Sequence, residues 1–324
     1  MQKELIKAFK DGKLESEKSK PKHVETTISN VFIFETQVYK IYKDDCEFFN
    51  ELFFDLSKKD NRFDFSKRDF DWNNFFTPNV YTDLFGCKLK DGEIVFVNHE
   101  IAEELVVVMN KIDTENGLAA LLYNDKIDES KAGDIGSQLA IQLNRLPEVQ
   151  AELSFAEAME VRRQTTLDWI SSVPEHVKGK TLSSFKKKFE ELYKVYAKTI
   201  HKNQAFGPCL DIHLENLIYT DGQLLIIDSY MPKKEWVVAD MNLNFYRCAI
   251  DILALSGKAN YEELKRTFEN ISNFKLNKDN ENFYLLYGGL VSIPTLFKLG
   301  EADSKKAELA KKYLKFMKDF VKKI

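Results

Sequence analysis

Apolar residues in the first third of the chain recur in short runs that alternate with polar ones. "HVETT", "NVFIFE" and "QVYKIYK" read as β-strands, with Glu35-Thr36 as a tight connection between the last two. "SKKD" (Ser57 to Asp60) has the form of a helix capping box, and the helix it predicts runs to about Phe76, ahead of Pro78. Strand pattern returns in "NVYTDLFGCKLKDGEIVFVNHEI", turned at "KDGE" (Lys90 to Glu93). After "EELVVVMNK" the helical period takes over from 115 to 200, as in "AGDIGSQLAIQLNRL" and "SSFKKKFEELYKVYAKTI". The last third is helical again to Ile324, apart from "PCLDIHLENLIYTDGQLLIID" (208 to 228), where a β-hairpin is predicted over 216 to 228 with its turn at Asp221-Gly222. The pattern predicts an α+β chain in two lobes. Residues 1 to 109 form a small antiparallel sheet with one long helix; a connector lies at about 104 to 110, and 110 to 324 form a larger helical body.

Composition narrows the class without naming a chemistry. A length of 324 residues suits two domains, and 44% hydrophobic with 30% charged residues describes an ordinary globular protein. The net charge of −4 gives no reason to expect nucleic-acid binding. No run of 18 apolar residues occurs, so no membrane span is expected, and the charged opening lacks the apolar centre of a secretory signal. Cys46, Cys87, Cys209 and Cys248 stand far apart with no CxxC pair, which reads as reduced thiols in a cytoplasmic protein. The closing "SKKAELAKKYLKFMKDFVKK" carries eight lysines, with Leu309, Tyr313, Phe316 and Phe320 at core spacing. It reads as an amphipathic helix with its lysines outward.

The polar cluster inside the apolar hairpin region carries the chemistry. Asp211, His213, Glu215 and Asn216 fall within six residues, and Asp228 closes the next apolar run. Phosphoryl transfer asks little covalent work of a protein; it needs positioning, metal ions and a carboxylate to take the acceptor's proton. Asp211, with Asn216 five residues on, supplies a base and one metal ligand, and Asp228 supplies another. Hard oxygen ligands of this kind suit Mg²⁺. The plainer reading is that Asp211 and Asn216 cap turns and Asp228 ends a strand; their joint occurrence ahead of an apolar hairpin favours the chemical one. His213 has no other His or Cys at metal-ligand spacing and reads as a hydrogen-bonded loop histidine supporting the catalytic loop. His23, His99, His176 and His201 are isolated.

"CLDIHLENLIYTDGQLLIIDSY" resembles the "HGDLHLGN…DG…LIDF" signature of the aminoglycoside phosphotransferase-like kinases. "VETTISNVFIFETQVYKIYK" is similar to the "ETHIS…VYKIKK" opening of a bacterial branch of that family, and the likeness continues through residues 54 to 81, "EELVVVMNKID" and "WVVADMNLNFYRCAIDILALSG". The resemblance implies a two-lobed protein-kinase-like fold, with ATP and Mg²⁺ between the lobes. It makes Asp211 the catalytic base, Asn216 and Asp228 the magnesium ligands, and Lys40 the lysine on the nucleotide phosphates, with Lys43 as the alternative because register is open. Asp69 would pair with that lysine. Thr27 and Ser29, in "TTISN", fall in the phosphate-covering turn, and Val106 and Val108, in "ELVVVM", at the adenine-binding hinge. Asp240 would brace the catalytic loop. Cys209 and Leu210 replace the family's His and Gly, Asp69 stands where Glu is usual, Asn244 where a second helix Asp is usual, and "DSYMPKK" offers no further acid. The implied activity is transfer of the γ-phosphoryl group from ATP to a hydroxyl of a small molecule. A nucleotide-binding or scaffold pseudokinase and a kinase acting on a protein are the alternatives; the acceptor and the oligomeric state stay open.

Overall fold

Period-two alternation in "VYKIY" lays out the amino-terminal sheet. The computed structural model describes residues 2–17, 19–150, 152–199, 206–230, 234–301 and 303–324; Ile200, His201 and 231–233, touched by the expectations above, lie outside them. The chain forms two compact units, Met1–Asp113 with Ile226–Lys233, and Thr114–Leu225 with Lys234–Ile324. The division falls just beyond the expected connector, and the segment from Ile226 joins the first unit.

The first unit contains α1 (Gln2–Lys10), β1 (Lys22–Glu25), β2 (Ser29–Ile33), β3 (Val38–Tyr42), α2 (Glu47–Leu52), α3 (Lys59–Phe76), β4 (Tyr81–Lys90), β5 (Glu93–Val97) and β6 (Glu104–Met109). All six strands pair antiparallel in the order β1-β2-β3-β6-β4-β5. Tyr39 and Ile41 of β3 enter one core with Leu5, Ala8 and Phe9 of α1. Tyr42 points the other way, into a cluster with Leu56 of the α2–α3 link and Phe65 of α3. Because side chains alternate along a strand, Lys40 shares that second face. The β4–β5 turn has Asp91 and Gly92 both at positive φ (52° and 84°), as a two-residue hairpin turn requires. The helix α1 was not anticipated, although Leu5, Ala8 and Phe9 have helical spacing. The capping box at "SKKD" does not form: Lys58 is the N-cap without a side-chain cap bond, and Ser57 turns to Asp55 instead. What anchors α3 is Arg62, buried against Glu104 of β6 through two of its nitrogens and bonded to the Leu56 and Ser57 carbonyls at 2.8 and 3.0 Å.

The second unit contains α4 (Leu118–Tyr123), α5 (Glu129–Asn144), α6 (Phe155–Ser171), α7 (Gly179–Thr199), β7 (Phe206–Pro208), β8 (Leu217–Thr220), β9 (Gln223–Ile226), α8 (Lys234–Val237), β10 (Val238–Asp240), α9 (Asn242–Leu255), α10 (Lys258–Ile271), α11 (Glu281–Gly300) and α12 (Ser304–Lys323). β8 and β9 form the expected hairpin, turned at Asp221-Gly222 with φ of 50° and 72°. α9 is buried almost throughout and packs against α11, with α12 laid on both. The buried stripe of α12 is Leu309, Ala310, Tyr313, Leu314, Met317 and Val321; Phe316 and Phe320, expected in the core, stack on each other half-buried at its margin. Lys278–Gly300 is the one segment among the described residues long and apolar enough to cross a membrane, and 72% of its apolar window is buried within the protein. All four cysteines are free thiols.

α5 and α10 approach closely at Gly136, where a Cβ would be driven into the Leu264 carbonyl and Thr267. Alanine gains about 1 kcal/mol in helix propensity over glycine, but overpacking a closed contact costs about 1–3 kcal/mol. Gly136→Ala is therefore expected to lower the urea midpoint without changing the slope of the transition; an unchanged or raised midpoint would contradict this packing.

Candidate active site

In the first unit, strand alternation, one helix and the chain beyond the hairpin place a polar cluster in a buried setting. Lys40 on β3, 6% exposed, donates from Nζ to Asp228 Oδ1 at 2.5 Å, across 188 residues of sequence. Burial works against the ammonium, but Asp228 and then Asp69 outweigh it and hold the Lys40 pKa above the usual lysine value. Lys43, the alternative left open by register, lies beyond β3 and pairs with Glu25 at 2.8 Å. Asp69, one turn before Asn73 on α3, accepts from the Tyr42 hydroxyl and from Asn73 Nδ2 at 3.0 Å. Its pKa is raised, first by burial and against the pull of Lys40. Direct pairing of Lys40 with Asp69 is thus corrected: the short aspartate side chain is engaged by Tyr42 and Asn73, and Lys40 reaches Asp228.

Asp228 lies in the left-handed region with φ +48°, a conformation that costs non-glycine residues about 1–2 kcal/mol, less for Asp than for most. Besides Lys40, side chains of α3 and β4 hold this segment. The Tyr81 hydroxyl, wholly buried, donates to Asp228 Oδ1 at 2.9 Å and accepts from the Asp228 N–H at 3.1 Å. Asn73 Oδ1 accepts from the Ser229 N–H at 3.2 Å, and the Thr77 hydroxyl, whose nearer acceptor is the Asn73 carbonyl at 3.0 Å, lies 3.4 Å from the Ile226 carbonyl. Burial, then the charges of Asp228 and Asp69, push the Tyr81 pKa far above its usual value, so it stays a hydroxyl donor.

Ser29 is wholly buried, at the base of a turn bonded both within itself and to Lys43. The Ser29 N–H donates to Thr26 Oγ1 at 2.9 Å, the two hydroxyls lie 2.8 Å apart, and Thr26 N–H donates to the Ser29 carbonyl. Thr27 is exposed at the tip. The hinge expectation at Val106 and Val108 is corrected. β6 lies between β3 and β4, so its backbone is taken up by two ladders, and both side chains sit in the α1 core. The backbone that leaves the sheet is the stretch from Asn110 to Asp113.

In the second unit, the loop between β7 and β8 carries Asp211, His213 and Asn216. The Asp211 side chain is 44% exposed, with the His213 Nε2 at 3.7 Å from Oδ2. His213 Nδ1 accepts from the Glu215 N–H at 3.2 Å, which places the ring proton on Nε2, facing Asp211. Burial lowers the His213 pKa despite Asp211, so the ring is neutral at pH 7. Asn216 Nδ2 donates to the Asp211 carbonyl at 2.9 Å and its N–H to the His213 carbonyl at 2.9 Å, closing the loop on itself. The braces come from α9. Asn244 accepts from the Leu210 N–H and donates to the Pro208 carbonyl, each at 2.9 Å. Fully buried Asp251 accepts from the Leu214 N–H at 3.0 Å, from Ser292 at 2.9 Å and from Tyr313 at 3.0 Å. Asp240 was the expected brace; it accepts instead from Tyr196 at 3.1 Å, Tyr284 at 2.6 Å and the Asn242 N–H at 3.0 Å, which makes it an anchor at the start of α9. Asp251 had a signal, a lone carboxylate inside the apolar run "CAIDILAL"; Tyr81, Tyr42 and Asn73 had none.

Magnesium fits the chemistry of the donor set. In the first unit two carboxylates face one ammonium, an excess of negative charge that favours a cation, and the Asp228 side chain is 47% exposed. Among the described residues no three His, Cys, Asp or Glu side chains converge as a metal cage; Mg²⁺ is commonly held by one or two carboxylates with phosphates and water.

No family model and no curated protein matches the chain. Solved structures do. A choline/ethanolamine kinase family protein from Mesorhizobium loti matches at TM-score 0.51 and 12% identity, over 94% of each chain. Choline kinase LicA from Streptococcus pneumoniae matches at 0.52 and 12%, over 98% of each. A thermostable mutant of aminoglycoside phosphotransferase APH(4)-Ia matches at 0.50 and 12%, over 98% of this chain and 99% of that one. The sheet-plus-helix unit and the larger helical unit are those of a protein-kinase-like fold. Within that class the chain has the fold of the choline kinases and aminoglycoside phosphotransferases, and at 12% identity the likeness is one of fold.

Proposed function

We propose that this chain is an ATP- and Mg²⁺-dependent phosphotransferase that moves the γ-phosphoryl group to a hydroxyl of a small molecule. The observation that carries the reading is the meeting of buried Lys40 with half-exposed Asp228 at the edge of a buried cluster of otherwise fixed polar groups. A cluster of that kind is costly to bury without function. In the first unit Lys40, kept charged by two carboxylates, neutralises nucleotide phosphate, Asp228 is the carboxylate for the metal, and exposed Thr27 covers the phosphates. In the second unit Asn216 supplies an amide oxygen to the metal, and Asp211 accepts the proton of the attacking hydroxyl as the new P–O bond forms and ADP departs. The bound cation supplies charge stabilisation on the phosphoryl oxygens. The names of the structural neighbours make choline-like and aminoglycoside-like alcohols the first acceptors to screen. The reading places the activity in the cytoplasm, where ATP is abundant and free thiols persist.

A thermal-shift titration with ATP tests it. Ligand at 100 times its dissociation constant adds about 2.7 kcal/mol of stability, a shift of several degrees. The expected result is a shift that grows when Mg²⁺ is added; no shift with any nucleotide would defeat the proposal.

A further inference from the structure

Resting on the assignment of Asp228 as a metal ligand, we propose that Tyr81 is the positioning residue that holds Asp228 ready for magnesium. One hydroxyl makes two bonds to the same residue: it donates to the carboxylate at 2.9 Å and accepts from the backbone N–H at 3.1 Å. The residue so held has its backbone at φ +48°. The two bonds act on different parts of Asp228. The bond from the N–H favours the left-handed turn that aims the side chain, and the bond to Oδ1 limits rotation of the carboxylate once aimed. Lys40 shares Oδ1, so hydroxyl and ammonium together fix one carboxylate oxygen. Tyr81 stands at the first position of β4, in register with Met109 at the end of β6, so the sheet sets the position of its ring. The ring is wholly buried, which leaves the hydroxyl little freedom to point elsewhere. Tyr81 itself touches neither metal nor phosphate; it acts through Asp228.

Tyr81→Phe deletes one oxygen and keeps the ring that packs there. Its magnesium requirement is read from the ATP-induced thermal shift, each variant measured against its own ligand-free melting temperature so that a uniform loss of stability does not enter. The variant is expected to need roughly tenfold more Mg²⁺ for half of the magnesium-dependent shift, the usual scale for removing a group that orients a metal ligand. The shift with ATP in excess EDTA should match the wild type. Asp228→Asn and the double variant complete a cycle. If Tyr81 acts through Asp228, adding Tyr81→Phe to Asp228→Asn leaves the ATP-induced shift, with and without Mg²⁺, as it is in Asp228→Asn alone. A wild-type magnesium midpoint in Tyr81→Phe, beside a lost magnesium effect in Asp228→Asn, would overturn the role of Tyr81 and leave the metal assignment standing. So would a further loss of the ATP-induced shift when Tyr81→Phe is added to Asp228→Asn. A wild-type magnesium effect in Asp228→Asn would remove the metal assignment itself, and the role of Tyr81 with it.

Discussion

Asp228→Asn is expected to abolish the magnesium-dependent part of nucleotide stabilisation and to lower turnover by on the order of 10²–10³-fold, the several kcal/mol of charge stabilisation a bound metal supplies. Asparagine is the informative replacement because it tolerates the left-handed backbone at φ +48°, where alanine would add a conformational cost of its own. It keeps a side-chain oxygen for Tyr81, removes the charge and replaces the other oxygen with an NH₂ that cannot bind a cation. Lys40, whose side chain is 7% exposed, loses its ion-pair partner, while Asp69 remains nearby as a second negative charge. A stability loss of about 1–3 kcal/mol follows from weakening a charged hydrogen bond. The magnesium effect and the stability loss are separable: the first is a difference between titrations with and without the cation, the second a shift of both. Turnover is measured as ATP consumption with an accepted alcohol, or with water as the acceptor if the screen finds none. Magnesium-dependent stabilisation surviving in the variant would refute Asp228 as a ligand.

Asp211→Asn is expected to leave nucleotide affinity within about twofold of wild type and to lower kcat by roughly 10²–10⁴-fold, the range for a positioned general base. The carboxylate is 44% exposed, and its ring neighbour His213 is held by the Glu215 N–H rather than by Asp211 alone. The substitution should therefore disturb the loop little, and the braces at Leu210 and Leu214 are untouched. Comparing kcat with the apparent nucleotide affinity isolates the chemical step. A variant that turns over at the wild-type rate would show that the proton goes elsewhere. A loss of nucleotide binding equal to the loss of rate would mean that Asp211 holds the loop rather than the proton.

Much of the candidate site was legible because its residues are local in sequence. Asp211 and Asn216 belong to one loop closed by its own hydrogen bonds, and the Asp-Gly turn that follows needs positive φ at both positions. Such features depend on a few neighbouring residues, so they survive in a linear reading. Lys40 and Lys43 could not be separated that way, because they differ only in the register and end of β3. Asp69 was placed on the right helix but given the wrong partner: which donor its short carboxylate meets is settled by Tyr42 across the packed face. Val106 and Val108 looked like hinge residues until the strand order put β6 between two neighbours. The "SKKD" cap failed because Asp55 competes for the Ser57 hydroxyl.

By itself, then, the sequence determined the alternation of strands and helices, both Asp-Gly hairpin turns, and the identity of the oxygen-bearing groups around Asp211, Asn216 and Asp228. These follow from local backbone preference and from the period of the apolar pattern. Tertiary structure alone decided that Lys40 meets Asp228, that Tyr81 grips it from β4, and that Asn244 and Asp251 rather than Asp240 hold the loop that carries Asp211. Each of those contacts joins residues far apart along the chain. No local propensity encodes such a pairing; it exists only once sheet register and helix packing have brought the two groups within hydrogen-bonding distance.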